Sequence, residues 1–417
     1  MPEPAASDAM PRPRADGGRV PYALFTRADV FAREQDRIFR GPTWNYLGLE
    51  AEIPQPGDFK TSSLGDTPVV LNRGTDGALN AFVNRCAHRG ATVERRACGN
   101  TRTHRCVYHQ WSYNLAGDLV GVPYRRGVNG VGGYGENFDT AAHGLRKLRV
   151  ESHRGVVFGT LDPALGPLAE FLDTAMVAAL DRLFAKPVRV LGHMRQRIAG
   201  NWKLYAENTR DPYHAALLHM FHATFGMYRT EQKGFSAADR TNAHVTGGKY
   251  GDAFEFGEFK AVGAGQDKAL SGYSLEDPSV LSGRREFEDG ASVTINSIFP
   301  SLVVQQIVNT LATRHVRPRG PGEFDLYWTY FGYADDPPDL VELRLKQANL
   351  VGPAGYISME DGEAIELIQR AIERGEAGES FVEFGGLKPP RPRGNVGETN
   401  IRGFWMHYAR LMDGNDG

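Results

Sequence analysis

Two short segments, Cys86-Ala-His88 and Cys106-Val-Tyr-His109, separated by 17 residues, constrain this chain more than any other feature. Each follows a β-like run, so two turns can bring two sulfurs and two imidazoles to one metal centre. The chain has one further cysteine, Cys98, and the three fall within 21 residues. An odd, clustered set makes a poor disulfide framework and a better metal site. Zinc sites with this composition usually group two cysteines and then two histidines. Here each half supplies one of each, although a Cys2His2 zinc site remains the alternative. The mixed set is what a [2Fe–2S] cluster needs when one iron takes two thiolates and the other two neutral imidazoles, which lowers the anionic charge and raises the potential. Cys98 and His104 fit neither half and read as loop or core residues. Gly90 would let the backbone approach the centre closely. Trp111 either shields it or is an ordinary core aromatic.

The surrounding stretch, from about Trp44 to Thr160, alternates short β runs with turn signals such as Gly74-Thr75-Asp76-Gly77. It reads as an all-β domain over 44–160. CVYHQWSYN is read as one of its β runs. A helix is expected over 26–40, capped by Thr26 and ended by Gly41. Helical periodicity returns at 168–185 and from Trp202 to Phe225. Residues 230–285 are Gly-rich and polar and read as long loops. Three or four uninterrupted strand-like runs from Ala291 to Tyr333 imply an antiparallel sheet. Helices follow at about 339–351, 359–374 and 397–412. The expected architecture is α+β: the all-β domain, plus a domain built from 20–43 and 161–417 with a central antiparallel sheet covered by helices. Residues 1–20 read as a disordered Pro/Ala-rich tail without the apolar core of a secretory signal. With 48 Lys and Arg against 50 Asp and Glu, nothing points to nucleic acid. No run approaches the ~18 apolar residues of a membrane span. A cytoplasmic protein is expected.

A second constellation lies in NWKLYAENTRDPYHAALLHMFH, which gathers Glu207, Asp211, His214, His219 and His222. His214 and His219 are five apart, about 140° on a regular helix, and share a metal only if the helix is locally unwound. His219 and His222 would face one way more easily, so spacing alone leaves the choice open.

Both constellations resemble one family. The first is similar to the Rieske pattern Cys-x-His…Cys-x2-His. The second, Asp211-x2-His214-x4-His219, resembles the corresponding motif of Rieske-type ring-hydroxylating oxygenases, as do Glu207-Asn208 and Asn201-Trp202-Lys203. The likeness runs from about residue 20 to 412 and keeps both motifs in order. It implies a large (α) subunit with a β-sandwich Rieske domain holding a [2Fe–2S] cluster on Cys86, His88, Cys106 and His109. It also implies a catalytic domain holding one Fe(II) on His214, His219 and a carboxylate, the triad that leaves positions open for O2.

The third ligand is sought in GYISMEDGEAIELIQRAIERG. If helical, Asp361, Ile365, Ile368 and Ile372 form one apolar stripe, while Glu363, Glu366 and Arg370 face solvent and Glu360 sits at the stripe's edge. An acid on a buried stripe is costly unless it is paired or metal-bound. The family also places its ligand aspartate here, so Asp361 is the candidate. The resemblance further implies that Asp211 couples cluster and iron across a subunit interface, with His109 of the partner subunit. A helix-cap role is its alternative.

In such enzymes electrons from NAD(P)H pass through a reductase, with or without a ferredoxin, to the cluster and then to the iron, beside a bound arene. The family assembles as α3, usually with a small β subunit as α3β3. RLKQANLVGPAGYISMEDGE and IRGFW look most like members acting on aromatic carboxylates: terephthalate, anthranilate, 2-halobenzoate and salicylate oxygenases. Dioxygenation is the first expectation and monohydroxylation of a salicylate-like substrate the second. A carboxylate in an apolar pocket needs a cation, and arginine's bidentate fork suits it. Arg314 is the candidate, because unbroken alternation from Ser301 to Val316 would set it on a face with Leu302, Val304, Val308, Ala312 and Val316. A structural salt bridge, or exposure by a bulge, is its alternative. Arg402 is a second candidate, since the carboxylate-oxidising relatives carry an arginine there. Two readings from other classes are an electron carrier with no chemistry of its own and a zinc-stabilised ligand-binding module.

Overall fold

A computed structural model describes residues 9–225, 232–251, 275–387 and 397–414. The chain forms two compact units, Phe39–Phe171 and Met1–Ile38 with Leu172–Gly417.

The smaller unit is built of three antiparallel sheets. The four-stranded one runs Leu79–Val83, Thr67–Arg73, Asp58–Leu64, Cys98–Asn100, and its first hairpin turns at Gly74–Gly77, where Gly77 takes a φ of +84°. Asn45–Leu49 joins Arg149–His153 and Val156–Thr160 in a second sheet. The third is small: His104–Arg105, Ser112–Tyr113 and Leu119–Gly121. The segment read as one β run from Cys106 is therefore mostly a loop, because Cys106 to Trp111 closes on itself between two short strands. Cys86 and Cys106 sit in one core cluster with Phe59, Phe82, Trp111 and Tyr113.

The larger unit carries a seven-stranded sheet, here labelled β1 (Val188–Ile198), β2 (Gly234–Ala238), β3 (Val245–Tyr250), β4 (Ala291–Ile298), β5 (Leu302–Ile307), β6 (Thr310–Gly320) and β7 (Glu323–Tyr333). The order is β1-β7-β6-β5-β4-β3-β2, antiparallel throughout. Besides Ala23–Thr26 and Ala28–Glu34 near its N-terminus, its helices are here labelled α1 (Leu168–Leu183, which begins in the smaller unit), α2 (Trp202–Asn208), α3 (Ala215–Leu218), α4 (Met220–Phe225), α5 (Pro338–Val351), α6 (Tyr356–Arg374) and α7 (Thr399–Asp413). Of the loops expected over 230–285, 230–231 and 252–274 lie outside the described residues; residues 275–285 are irregular apart from the short turn of helix Pro278–Leu281, whereas 232–251 form β2 and β3.

Three local findings differ from the sequence expectation. Residues 1–8 lie outside the described residues, but the rest of the expected tail is ordered. Arg19–Pro21 pairs with Glu379–Phe381, and Arg14 reaches Glu383 at 2.8 Å. Composition cannot reveal a partner strand some 360 positions away. The first long helix begins at Ala28 rather than after Thr26, and its last turn, Gln35–Phe39, is π-helical. The alternation through β5 and β6 is also broken. Ile307 pairs with Thr310 across a two-residue turn, so odd positions of β5 share a face with even positions of β6. Arg314 therefore shares its face with Val303 and Gln305, as well as Ala312 and Val316, and not with Leu302 or Val304.

α2 is held in place by a buried network. Asn201 caps it by accepting the Lys203 N–H, a contact worth about 1 kcal/mol. Lys203 Nζ lies 2.6 Å from Glu34, both side chains fully buried, and Trp202 Nε1 and Tyr408 OH also donate to Glu34. Three donors on one carboxylate satisfy a charge that burial would otherwise penalise. This fixes the helix from which the second site grows.

Candidate metal centres

In the smaller unit the two Cys/His loops have the same backbone. Each cysteine N–H donates to the carbonyl five residues on (Ala91, 2.8 Å; Trp111, 2.9 Å), and each cysteine carbonyl accepts the N–H four residues on (Gly90 and Gln110, both 3.0 Å). Residues 90 and 110 both take positive φ, +76° and +58°. Glycine takes that dihedral at 90 without strain, where Gln110 bears a side chain, and an added Cβ at 90 would meet no protein atom nearer than the Arg85 side chain at 3.9 Å. Histidine stands third in one loop and fourth in the other. The two rings nevertheless meet, with centroids 4.6 Å apart.

The donor set suits a metal centre. Cys86 and Cys106 are buried, and His88 Nδ1 is a buried nitrogen with no hydrogen-bond partner. Burial, then the charges of His109 and Arg89, push the His88 pKa down and favour the neutral, ligating form. Tyr113 OH lies 3.1 Å from Cys86 Sγ and accepts the Ala87 N–H, an outer contact of the kind that tunes a bound centre. Trp111 is buried in the core cluster and stacks on His88 at 4.8 Å and 8°. Cys98 is exposed on its strand, and His104 is a core residue wedged between Phe59 and Phe82.

In the larger unit the expected helix from Trp202 to Phe225 is three pieces. His219 falls between α3 and α4 with φ −80° and ψ 94°, an extended conformation. That break removes the 140° obstacle. One ligand atom each of His214, His219 and Asp361 lies within 4.8 Å of the others. His214 Nε2 and His219 Nε2 stand 3.5 and 3.4 Å from Asp361 Oδ1. His222, although its ring is 5.2 Å from that of His219, is not part of this group.

Each histidine's other nitrogen meets a carboxylate. Asp211 Oδ2 lies 3.2 Å from His214 Nδ1, and Glu360 Oε2 lies 3.0 Å from His219 Nδ1. Such partners fix the ring and its tautomer and leave Nε2 for a metal. Asn208 Nδ2 donates to Asp361 Oδ1 at 2.8 Å. The carboxylates draw positive charge here. Burial pulls the His214 pKa down, but Asp211 and Asp361 outweigh it and raise it to about 9.

Asp361 is buried on α6, as its helix phase predicts, but the stripe is rotated from the expected one. Ile365 and Gln369 continue it, while Ile368 is exposed. Gly362 lets α6 lie against β1, where an added Cβ would stand 2.7 Å from Gln196 Nε2. Spacing did not reveal Asn208 or Glu360 as site residues. For Glu360 the signal was its place at the edge of the buried stripe.

Arg314 and Arg402 behave differently. Arg402 Nη1 donates to Val382 O and Phe384 O, and Nη2 to Gly386 O and Thr399 Oγ1. Its terminal donors are all engaged in holding the segment that enters α7, so it is withdrawn as a carboxylate ligand. Arg314 is buried and donates to Tyr205 OH at 2.8 Å and to Gln305 Oε1, over the face of Trp328. Both hydrogen-bond partners are neutral, and no acid pairs with it among the described residues, so the salt-bridge alternative falls. Arg314 Nε, Gln305 Nε2 and Trp328 Nε1 are buried donors left without acceptors.

The model of the Rieske [2Fe–2S] domain matches residues 43–132, and that of the ring-hydroxylating alpha subunit catalytic domain matches 184–414. The chain is 49% identical over 407 residues to the anthranilate 1,2-dioxygenase large subunit of Burkholderia cepacia, covering 96% of this chain and 95% of that one. It is 43% identical over 404 residues to the terephthalate 1,2-dioxygenase terminal oxygenase component subunit alpha 2 of Comamonas sp, covering 95% and 96%. It is 40% identical over 406 residues to the salicylate 5-hydroxylase large oxygenase component of Ralstonia sp, covering 96% of each. Among solved structures, naphthalene 1,2-dioxygenase from Rhodococcus sp. bound to indole shares the fold, with TM-score 0.78, 24% identity and coverage of 96% and 95%. A catalytic domain following the Rieske domain excludes a bare electron carrier, and a [2Fe–2S] domain displaces the zinc reading. The chain thus belongs to the Rieske non-heme iron ring-hydroxylating oxygenases as a large (α) subunit, a terminal oxygenase component whose cofactors are a [2Fe–2S] cluster and a mononuclear iron.

Proposed function

We propose that this subunit oxygenates an aromatic carboxylate of the anthranilate, terephthalate or 2-halobenzoate kind, using O2 and electrons from NAD(P)H. Cys86, His88, Cys106 and His109 hold the cluster, and His214, His219 and Asp361 hold the iron. Bound by two histidines and one carboxylate, an iron retains open positions and supplies the O2-activating chemistry. Asp211 and Glu360 orient the two imidazoles, and Asn208 orients Asp361. The relatives' names, large subunit and terminal oxygenase component, mark parts of multicomponent systems. The partners are a reductase, with or without a ferredoxin, and a small β subunit in an α3β3 assembly. No helix among the described residues is long and apolar enough to cross a membrane, and we assign the enzyme to the cytoplasm.

The observation that carries the substrate class is Arg314. A buried cation with neutral partners and unmet donors beside it is unfavourable unless an anion joins it. Tyr205, its hydroxyl partner, lies one turn before Asn208 on α2, so about 4.5 Å of helix axis separates the anchor's partner from the partner of Asp361. A substrate carboxylate on Arg314 would be drawn to the same end of α2 as the iron triad. Arg314→Gln is expected to raise KM for the carboxylate about 30-fold or more, with cluster and iron content unchanged. Losing one buried charge-assisted pair costs roughly 2 kcal/mol or more. An unchanged KM would remove Arg314 from the site.

Products formed from a panel of benzoates by the oxygenase reconstituted with a reductase test the whole reading. A cis-dihydrodiol or its rearomatised catechol supports dioxygenation. A single added hydroxyl supports the second reading, a salicylate-like monohydroxylase, which the 40% identity to a salicylate 5-hydroxylase component favours. Neutral arenes oxidised in preference to carboxylates would overturn both. For the cluster, Cys98→Ser should leave the visible absorption and the EPR signal of the reduced centre intact. Loss of that signal would mean that the ligands are misassigned.

A further inference from the structure

Two aromatic residues of α7, Trp405 and Tyr408, are buried and have no part in the site described above. Their ring centroids stand 5.1 Å apart at 73°. Each gives its polar hydrogen to a carboxylate. Trp405 Nε1 donates to Glu207 Oε1 at 2.6 Å, and Tyr408 OH donates to Glu34 Oε1 at 2.6 Å. Glu34 is fully buried and Glu207 is partly exposed. Indole and phenol are the aromatic side chains that give up an electron most readily, and each then sheds that hydrogen as a proton. The aromatics around Arg314 are arranged the other way. Tyr205 OH accepts from Arg314, and Trp328 lies under the guanidinium at 4.5 Å with Nε1 lacking an acceptor. A cation so close opposes the loss of an electron. Glu207 immediately precedes Asn208 on α2, and Asn208 Nδ2 stands 2.8 Å from Asp361 Oδ1. The base beside Trp405 and the partner of an iron ligand are thus neighbours in one helix. Desolvation, with the charges of Glu398 and Asp211, raises the Glu207 pKa against the Trp405 bond and Lys203, so its carboxylate is a stronger base than usual.

We propose that Trp405 and Tyr408 form a proton-coupled relay that draws an oxidising equivalent away from the iron site when activated O2 finds no arene to attack. The inference rests on the iron assignment above. Trp405 gives one electron to the iron site. Its Nε1–H bond breaks and the proton forms an O–H bond on Glu207, which leaves a neutral indole radical. Tyr408 then refills the indole: one electron crosses to Trp405, the Glu207 proton returns to Nε1, and the phenol proton moves to Glu34. The net result is an iron site reduced by one electron and a Tyr408 oxidised by one, with the phenol proton held on Glu34. Lys203 keeps its own charge 2.6 Å from Glu34, an imbalance that favours return of the proton once an electron from the enzyme's supply restores the phenol. Both rings are shut off from solvent, which keeps the radical from side reactions in the meantime.

The test uses the full oxygenase loaded with ferrous iron, its cluster oxidised and no arene present, in mildly alkaline buffer that keeps Glu207 ionised. It is mixed with hydrogen peroxide and freeze-quenched for EPR. Peroxide takes two electrons and two protons to become two waters: the iron supplies one electron, the relay the other, and solvent the protons. The unaltered enzyme should show a free-radical signal that narrows when the protein is made with ring-deuterated tyrosine. Tyr408→Phe should replace it with a signal that responds to deuterated tryptophan instead, and Trp405→Phe should abolish both. Glu207→Gln should also abolish the signal, because the amide still accepts the indole hydrogen bond but cannot take the proton. Iron and sulfide are measured in every variant first. If a ring variant loses iron, Glu207→Gln, which keeps both rings, decides the matter. No radical in the iron-loaded unaltered enzyme would overturn the proposal. So would a tyrosine signal that survives Trp405→Phe or Tyr408→Phe, or one undiminished in Glu207→Gln. The same signal in iron-free His219→Ala would overturn it too, since peroxide would then be oxidising the rings without the iron. If the unaltered enzyme takes up no mononuclear iron, the iron reading itself has failed, and metal analysis shows that before any peroxide is added.

Discussion

His219→Ala is expected to strip the mononuclear iron and bring turnover to background while leaving the cluster's absorption and acid-labile sulfide unchanged. His219 contributes one of three ligand atoms within 4.8 Å, and a site left with one histidine and one carboxylate has lost the facial geometry that holds iron. His214→Ala and Asp361→Ala should do the same. The cluster set lies on separate loops of the smaller unit, so its spectrum serves as an internal standard for folding. His222→Ala is the control. Burial pushes its pKa down to about 3, it lies outside the triad, and its variant should keep iron. Glu360→Gln is a graded companion. It weakens the hold on His219 Nδ1 without removing a ligand, and outer partners of this kind are worth about 10- to 100-fold in metal affinity. Iron per protomer, measured beside sulfide, reads all of these. Iron retained in His219→Ala and lost in His222→Ala would transfer the ligand role to His222.

What the sequence reveals here depends on how far apart the interacting parts lie. The Cys/His loops are legible because each is five or six residues long and its chemistry lies within it. The antiparallel sheet is legible from strand runs with no helix between them. Asp361 is legible because its helix phase points inward, although the stripe around it was set one register off at Ile368. Features settled by distant partners were not legible. The expected tail becomes a strand only because Glu379–Phe381 lies beside it. Arg402 looked like a ligand until the carbonyls of Val382, Phe384 and Gly386 took its donors. The face of Arg314 could not be read from alternation alone, because a two-residue turn resets the phase and sequence does not mark where pairing starts. The break at His219 is the instructive case. No glycine or proline announces it, yet without it His214 and His219 could not approach the same carboxylate.

Asp211→Asn should leave both metals and the fold in place and slow turnover by at least about a hundredfold. The carboxylate works with both oxygens. Oδ1 accepts the Tyr213 N–H at 2.7 Å and closes the turn that leads to His214, and Oδ2 lies 3.2 Å from His214 Nδ1. It is not the cap of α3, whose N-cap position is His214 itself. Asparagine keeps one acceptor, enough for the turn, and puts an N–H where the second oxygen stood. With Oδ1 on Tyr213 and Nδ2 facing His214 Nδ1, two donors are opposed, so the contact between the iron ligand and whatever lies beyond it is cut. A carboxylate has further lone pairs, and the Asp211 side chain is still 19% exposed, so it can also accept from His109 of the partner subunit, the bridge proposed between cluster and iron. The two roles separate in one experiment. If Asp211 only orients His214, the asparagine variant should lose iron affinity, and enzyme reloaded with iron should turn over normally. If it carries the coupling, the loaded variant should still bind substrate, but its pre-reduced cluster should reoxidise at least about a hundredfold more slowly when mixed with substrate and O2. Normal reoxidation in the fully loaded variant would leave Asp211 with the turn and the imidazole alone.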